Sequence, residues 1–174
     1  MINNRPTRAY YSKSIQHFLE DPVSLILGNL TTKHTHATEN LQRYAWINQI
    51  EILKNTFMHN AKGHILFEFS IPRMGKRVDN IVIIDDLIFV IEFKVGDDNY
   101  HKYALDQVLD YSLDLKNFHQ ASHEQKIIPI LVSTDAHRTA TYIHRYEDLL
   151  YKPILANKDN LYEVISTCFK EKSD

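Results

Sequence analysis

The sequence predicts an α/β protein in three layers: a mixed central sheet with helices on both faces, in the element order α-βββ-α-β. Residues 77–84 and 87–94 are two runs rich in Val, Ile and Phe joined by Asp85-Asp86, the pattern of a β-hairpin. Both faces of that hairpin are largely apolar, as in central strands covered on each side. Residues 100–118 then carry Tyr103, Ala104, Val108, Tyr111, Leu115 and Phe118 at helical spacing and lead to an apolar run at 127–133. A crossover helix makes that last strand parallel to the third.

The elements follow in order. Residues 8–12 lead into a short helix capped by Ser12 or Ser14, with Ile15, Phe18 and Leu19 as its apolar side and Asp21-Pro22 as its stop. Val23, Ile26, Leu27 and Leu30 mark a second short helix, and residues 31–38 read as a polar loop with two solvated histidines, His34 and His36. A helix over 38–59 has Leu41, Ala45, Trp46, Ile50, Leu53 and Phe57 as its buried stripe. Strands at 64–71, 77–84 and 87–94 form an antiparallel meander. Pro129 marks the strand at 127–133 as bulged or peripheral, residues 150–156 add an edge strand in which Pro153 is tolerated, and 159–170 form a closing helix.

At 174 residues and 44% hydrophobic content, the chain suits one well-filled core. The expected organisation is a single domain over 1–174, with an N-terminal helical extension (1–37), a core (38–134) and a C-terminal strand and helix (135–174).

The hairpin also carries the chemistry. A two-residue loop at Asp85-Asp86 sets Asp79 opposite Glu92. Strand alternation then puts Asp79, Ile81 and Ile83 on one face with Ile88, Val90, Glu92 and Lys94, and Val78, Val82, Ile84, Leu87, Phe89, Ile91 and Phe93 on the other. Two carboxylates at one end of a covered strand pair repel each other and lose hydration, at a cost on the order of several kcal/mol unless a cation or donors compensate. A bound divalent cation resolves the conflict; an ordinary ion-pair cluster of Asp79, Glu92, Arg77 and Lys94 is the structural alternative. The same register sets Arg77 against Lys94, like charges that a bound phosphate would relieve. Arg77 is therefore a candidate phosphate contact, the alternative being that it splays into solvent or pairs with Glu68. On the following helix, Gln107 and Tyr111 are four residues apart and share a face.

The order Asp79, then Glu92-x-Lys94, then Gln107-x-x-x-Tyr111 resembles the PD-(D/E)XK nuclease superfamily, in particular its RecB-like branch. Residues 67–79 and 106–111 look more closely like the amino-terminal nuclease-like domain of bacterial helicase-like P-loop proteins, and the likeness covers most of residues 8–134. The resemblance implies a restriction-endonuclease-like core and a metal-dependent nuclease that hydrolyses phosphodiester bonds, with DNA favoured over RNA. It implies that Asp79 and Glu92 coordinate Mg²⁺ or Mn²⁺ and that Lys94 orients water or stabilises charge on the phosphate. Gln107 would help position the site, with Tyr111 packed beside it. The family often adds one more acidic residue, here Glu68, which a four-residue loop at 72–75 would pair with Asp79, or Glu51 on the preceding helix, whose default is solvent exposure.

Net charge is only −2, so any nucleic-acid surface must be local. Arg73, Lys76 and Arg77 are the candidate substrate contacts, with Lys94, His101 and Lys102 nearby. The single cysteine, Cys168, excludes a disulfide framework, and no apolar run approaches membrane-spanning length, so the expected setting is cytoplasmic. Four glycines provide neither a Walker loop nor a dinucleotide fingerprint. The ATPase that accompanies the resembled proteins would therefore act in cis from another segment or in trans. His119 and His123 have zinc-compatible spacing but no adjacent glutamate and no third ligand. The alternative function is a non-cleaving nucleic-acid-binding or regulatory module of a helicase-like ATPase system.

Overall fold

The computed structural model describes residues 8–34, 39–71, 75–118 and 124–172. The elements are β1 (Tyr11–Ser14), α1 (Ile15–Glu20), α2 (Val23–Lys33), α3 (Asn40–Phe57), β2 (His64–Ser70), β3 (Arg77–Ile84), β4 (Leu87–Lys94), α4 (Lys102–Phe118), β5 (Lys126–Ser133), β6 (Ile154–Ala156) and α5 (Leu161–Lys172). They build one six-stranded sheet in the order β1-β2-β3-β4-β5-β6. The pairings β1–β2, β2–β3 and β3–β4 are antiparallel, and β4–β5 and β5–β6 are parallel. The expected mixed sheet between helices is the observed architecture.

Each face of the sheet has its own core. On one, Trp46, Ile50, Leu53 and Phe57 of α3 and Leu161, Val164, Ile165 and Cys168 of α5 pack with Phe67, Val82, Phe89, Ile91 and Ile130. On the other, Ala104, Val108, Tyr111 and Leu115 of α4 pack with Ile81, Ile88, Val90, Ile127 and Leu131. Leu41 and Tyr103, expected in the buried stripes of α3 and α4, are 78% and 61% exposed. Both lie in the first turn of their helices.

Several expectations are corrected. Tyr11–Ser14 is a strand paired with His64–Phe67, too short to announce itself by alternation, and Ser14 alone caps α1 by accepting the His17 N–H at 3.2 Å. Residues 31–33 continue α2, and His34 packs edge-on to the rings of Tyr10 and Trp46 rather than lying free in solvent. Val78 joins Phe69, Ile71 and Ile81 in the α4-side core, opposite to its assigned face. The change of face falls beside an irregularity in the ladder: Glu68 has φ +53, and the β2–β3 register passes from Phe67↔Asn80 to Phe69↔Val78 with no pair between. Pro129 sits in an interior strand in regular register with Val90. The Ile127 carbonyl accepts from Tyr151 N–H on the β6 side, so two residues on Pro129 turns its nitrogen the same way, where the β5–β6 ladder starts only at Ile130↔Ile154. Arg73, His36, His119 and His123 lie outside the described residues, as does the side chain of Phe118. No helix among the described residues is long and apolar enough to cross a membrane.

Gly63, which leads into β2, has φ +111, and a Cβ there would lie 2.4 Å from the Ile83 carbonyl oxygen and 2.8 Å from Ile84 Cγ1. Gly63→Ala is expected to lower stability by about 2 kcal/mol or more, through backbone strain and contact together. Urea denaturation should show a lower midpoint at unchanged slope.

Candidate active site

The β3–β4 register runs from Ile84↔Leu87 to Asn80↔Ile91, which sets Asp79 against Glu92 as the two-residue loop requires. At that point side chains replace the backbone ladder. Asp79 N–H donates to Glu92 Oε1 at 3.0 Å, and Phe93 N–H donates to Asp79 Oδ2 at 2.9 Å. Each carboxylate is thus tied to the other strand's backbone by one oxygen. Glu92 is buried at 4% exposure and Asp79 is half-buried.

Glu68 adjoins this pair from β2, since the register on either side of it leads to Asp79. Its Oε1 accepts the Trp46 indole N–H at 3.1 Å, and its main-chain carbonyl accepts from Arg77 at 2.6 Å. A non-glycine residue in left-handed conformation inside a strand costs on the order of 1–3 kcal/mol, and such strain collects at functional sites. Glu51 is exposed on α3.

Burial pushes the carboxyl of Asp79 up to about 7, reinforced by the charge of Glu68 and opposed by Phe93 N–H, Lys94 and hydrogen bonding with Glu92. Glu92 is pushed well above the usual carboxylate range, first by burial and then by Asp79. Glu68 is raised by burial, with Trp46 and Arg77 working against it. Three carboxylates therefore feel one another, with Lys94 as the cation that acts on both Asp79 and Glu92.

Lys94 ends β4, where its carbonyl accepts Thr134 N–H at 3.2 Å and so ties the end of β4 to the end of β5. Its ammonium donates to Gln107 Oε1 at 2.9 Å, and Gln107 Nε2 donates to the Tyr111 hydroxyl at 2.8 Å. The two α4 residues share a face as their spacing requires, and Tyr111 fixes the amide so that its oxygen faces Lys94. The Tyr111 hydroxyl is raised mainly by burial, and the charges of Glu92, Asp79 and Glu68 add to the shift. Asp79, Glu92, Lys94, Gln107 and Tyr111 thus meet on the α4 side of the sheet, at the carboxyl end of β4, the end where open α/β sheets bind their ligands.

The candidate phosphate contacts separate. Arg77 packs over the Tyr10 ring at 4.2 Å and donates to the carbonyls of Glu68 and Arg8, so its guanidinium serves the β1–β2 edge. Lys76 is exposed and lines a depression of about 390 Å³ with Tyr103, Asp106, Gln107, Asp110 and Tyr111. Sequence reasoning placed Trp46 and Tyr103 in the core and missed their polar contacts. Trp46 holds Glu68, and the Tyr103 ring lies 5.6 Å from the Lys94 ammonium.

Among the described residues no three Asp, Glu, His or Cys side chains are grouped to hold a metal, so there is no closed protein cage of the kind that structural zinc uses. Two adjacent carboxylates with excess negative charge suit Mg²⁺, which binds through one or two carboxylates and takes its remaining ligands from water and substrate phosphate. Glu68, committed to Trp46, does not complete a three-ligand group with them.

No family model and no curated protein matches the chain. Among solved structures, the chain is similar to a crystal structure of protein VC1899 from Vibrio cholerae, at 14% identity and a TM-score of 0.38. That alignment covers 85% of this chain and 42% of the Vibrio chain, so the chain spans less than half the length of the protein it matches.

The raised carboxyls give stability a definite pH dependence. A folded-state pKa above the unfolded value means that the contribution of Asp79 is complete below about pH 4 and is lost as pH rises through about 7. Glu92 and Glu68 act with the same sign, while Asp21, held low by Lys13 and Tyr11, acts oppositely. The comparison with a variant isolates the site. Asp79→Asn keeps an acceptor for Phe93 N–H, and in EDTA it should be more stable than wild type at pH 8 by about 1–3 kcal/mol, with the gap closing toward pH 4. Urea midpoints across that range provide the check.

Proposed function

We propose that the protein is a metal-dependent nuclease of the PD-(D/E)XK type with a restriction-endonuclease-like core, hydrolysing phosphodiester bonds in nucleic acid, DNA in preference to RNA. The observation that carries this reading is the meeting of Asp79 and Glu92 with the Lys94–Gln107–Tyr111 chain at one end of β4. Asp79 and Glu92 would hold Mg²⁺ or Mn²⁺ through the oxygens not engaged by backbone N–H groups. When bound, the cation lowers the pKa of a water and offsets charge growing on the phosphate.

The chain's own residues do the rest. Lys94 presents an ammonium to the phosphate or the attacking water, with its position set by Gln107. Tyr111 orients Gln107. Lys76 at the depression adds a phosphate contact that carries no sequence information. The hydrogen bonds that Asp79 and Glu92 make to backbone N–H groups favour one competing reading, a non-cleaving module that binds nucleic acid for a helicase-like ATPase supplied in cis or in trans. In that case the same donors would satisfy the carboxylates permanently.

Purified protein incubated with labelled single- and double-stranded DNA and RNA should cut in Mg²⁺ or Mn²⁺ and not in EDTA. Lys94→Ala, Asp79→Asn and Glu92→Gln should each reduce the rate by roughly a hundred-fold or more while leaving substrate binding in place. Independently of turnover, Mg²⁺ should raise the melting temperature of the wild type at pH 8 and not that of Asp79→Asn. Binding without cleavage on every substrate, with no thermal response to metal, would establish the non-cleaving module instead.

A further inference from the structure

We propose that Tyr103, with His101, is a stacking platform for a nucleobase beside Lys94, and that the substrate is therefore single-stranded nucleic acid. The proposal rests on the nuclease reading and narrows its substrate class.

Tyr103 is a large ring left 61% exposed in the first turn of α4, directly beside the site. Its ring stacks on His101, with centroids 5.5 Å apart and planes inclined by 19°, and the His101 side chain is itself 45% exposed. The Lys94 ammonium lies 5.6 Å from the Tyr103 centroid. Tyr103 also lines the depression of about 390 Å³ that holds Gln107 and Tyr111. The two rings hold each other and Lys94 lies against one of them, so little side-chain freedom remains to be lost when a third flat group arrives.

A base is the flat group that the surroundings select. The Tyr103 ring lies against the ammonium expected to meet the phosphate, so a base stacked on this pair of rings brings its own phosphate toward Lys94. The nearby acidic groups have basic neighbours: Asp106 is paired with Lys102 at 2.8 Å, Asp97 lies 3.8 Å from His101, and Asp110 lines the depression together with Lys76. Bases within a duplex are stacked on each other and present no free face, whereas every base of a single strand can stack on an aromatic ring.

Fluorescence anisotropy of labelled oligo(dT) and of a labelled duplex, both in EDTA, separates the possibilities. Wild type should bind oligo(dT), Tyr103→Ala should weaken that binding roughly ten-fold, and Tyr103→Phe and Tyr103→Trp should bind like wild type. Duplex affinity should be unaffected by Tyr103→Ala. Absence of oligo(dT) binding, unchanged affinity in Tyr103→Ala, or equal losses for single strand and duplex would each overturn the platform. Because these assays need no turnover, Tyr103-dependent binding by a protein that never cuts would keep the platform and discard the nuclease. Cleavage of single strands by Tyr103→Ala with unchanged KM would keep the nuclease and discard the platform.

Discussion

The architecture around the site depends on two acidic side chains held inside a sheet. Where the β3–β4 ladder stops, Asp79 and Glu92 each take a hydrogen bond from the opposite backbone, so the carboxylates complete a strand pairing that the main chain has abandoned. Burial and mutual repulsion make this arrangement unfavourable for two full charges, and the raised pKa values of both groups express that cost. The apolar cores on both faces of the strands bearing the pair supply the favourable burial that offsets this cost.

The two cores divide the work. The side covered by α3 and α5 contains the larger aromatics and anchors Glu68 through the indole of Trp46. The side covered by α4 is thinner and supplies Gln107 and Tyr111, and its first turn carries Tyr103 out over Lys94. Rigid sheet backbone thus places the carboxylates, and a single helix face places the groups around Lys94. The candidate site lies where the two meet.

Much of this was legible in the sequence because it depends on period and loop length. A two-residue loop at Asp85-Asp86 determines which residue faces Glu92, and a four-residue spacing determines that Gln107 and Tyr111 share a face. The register of Glu68 with Asp79 followed from loop length in the same way. What escaped depends on contacts between distant segments. Nothing near Glu68 signals that Trp46, 22 residues earlier, will donate to it, or that its backbone will turn to φ +53 next to where Val78 joins the other face. The β3–β4 register makes Arg77 a candidate phosphate ligand opposite Lys94, but the Tyr10 ring and two carbonyls from the β1–β2 edge claim it. The apolar residues Leu41 and Tyr103 fit the helical period and still lie outside, since periodicity does not say where the sheet beneath a helix ends.

The outermost strands are also the shortest, with four residues in β1 and three in β6, against seven or eight in each of the strands between them. An unpaired strand edge is a template on which a neighbouring molecule can add its own strand, and the reach of that template scales with its length. Terminating the sheet in two stubs leaves little exposed backbone for such recruitment, so the long hydrophobic strands of the interior stay sequestered from intermolecular cross-β growth.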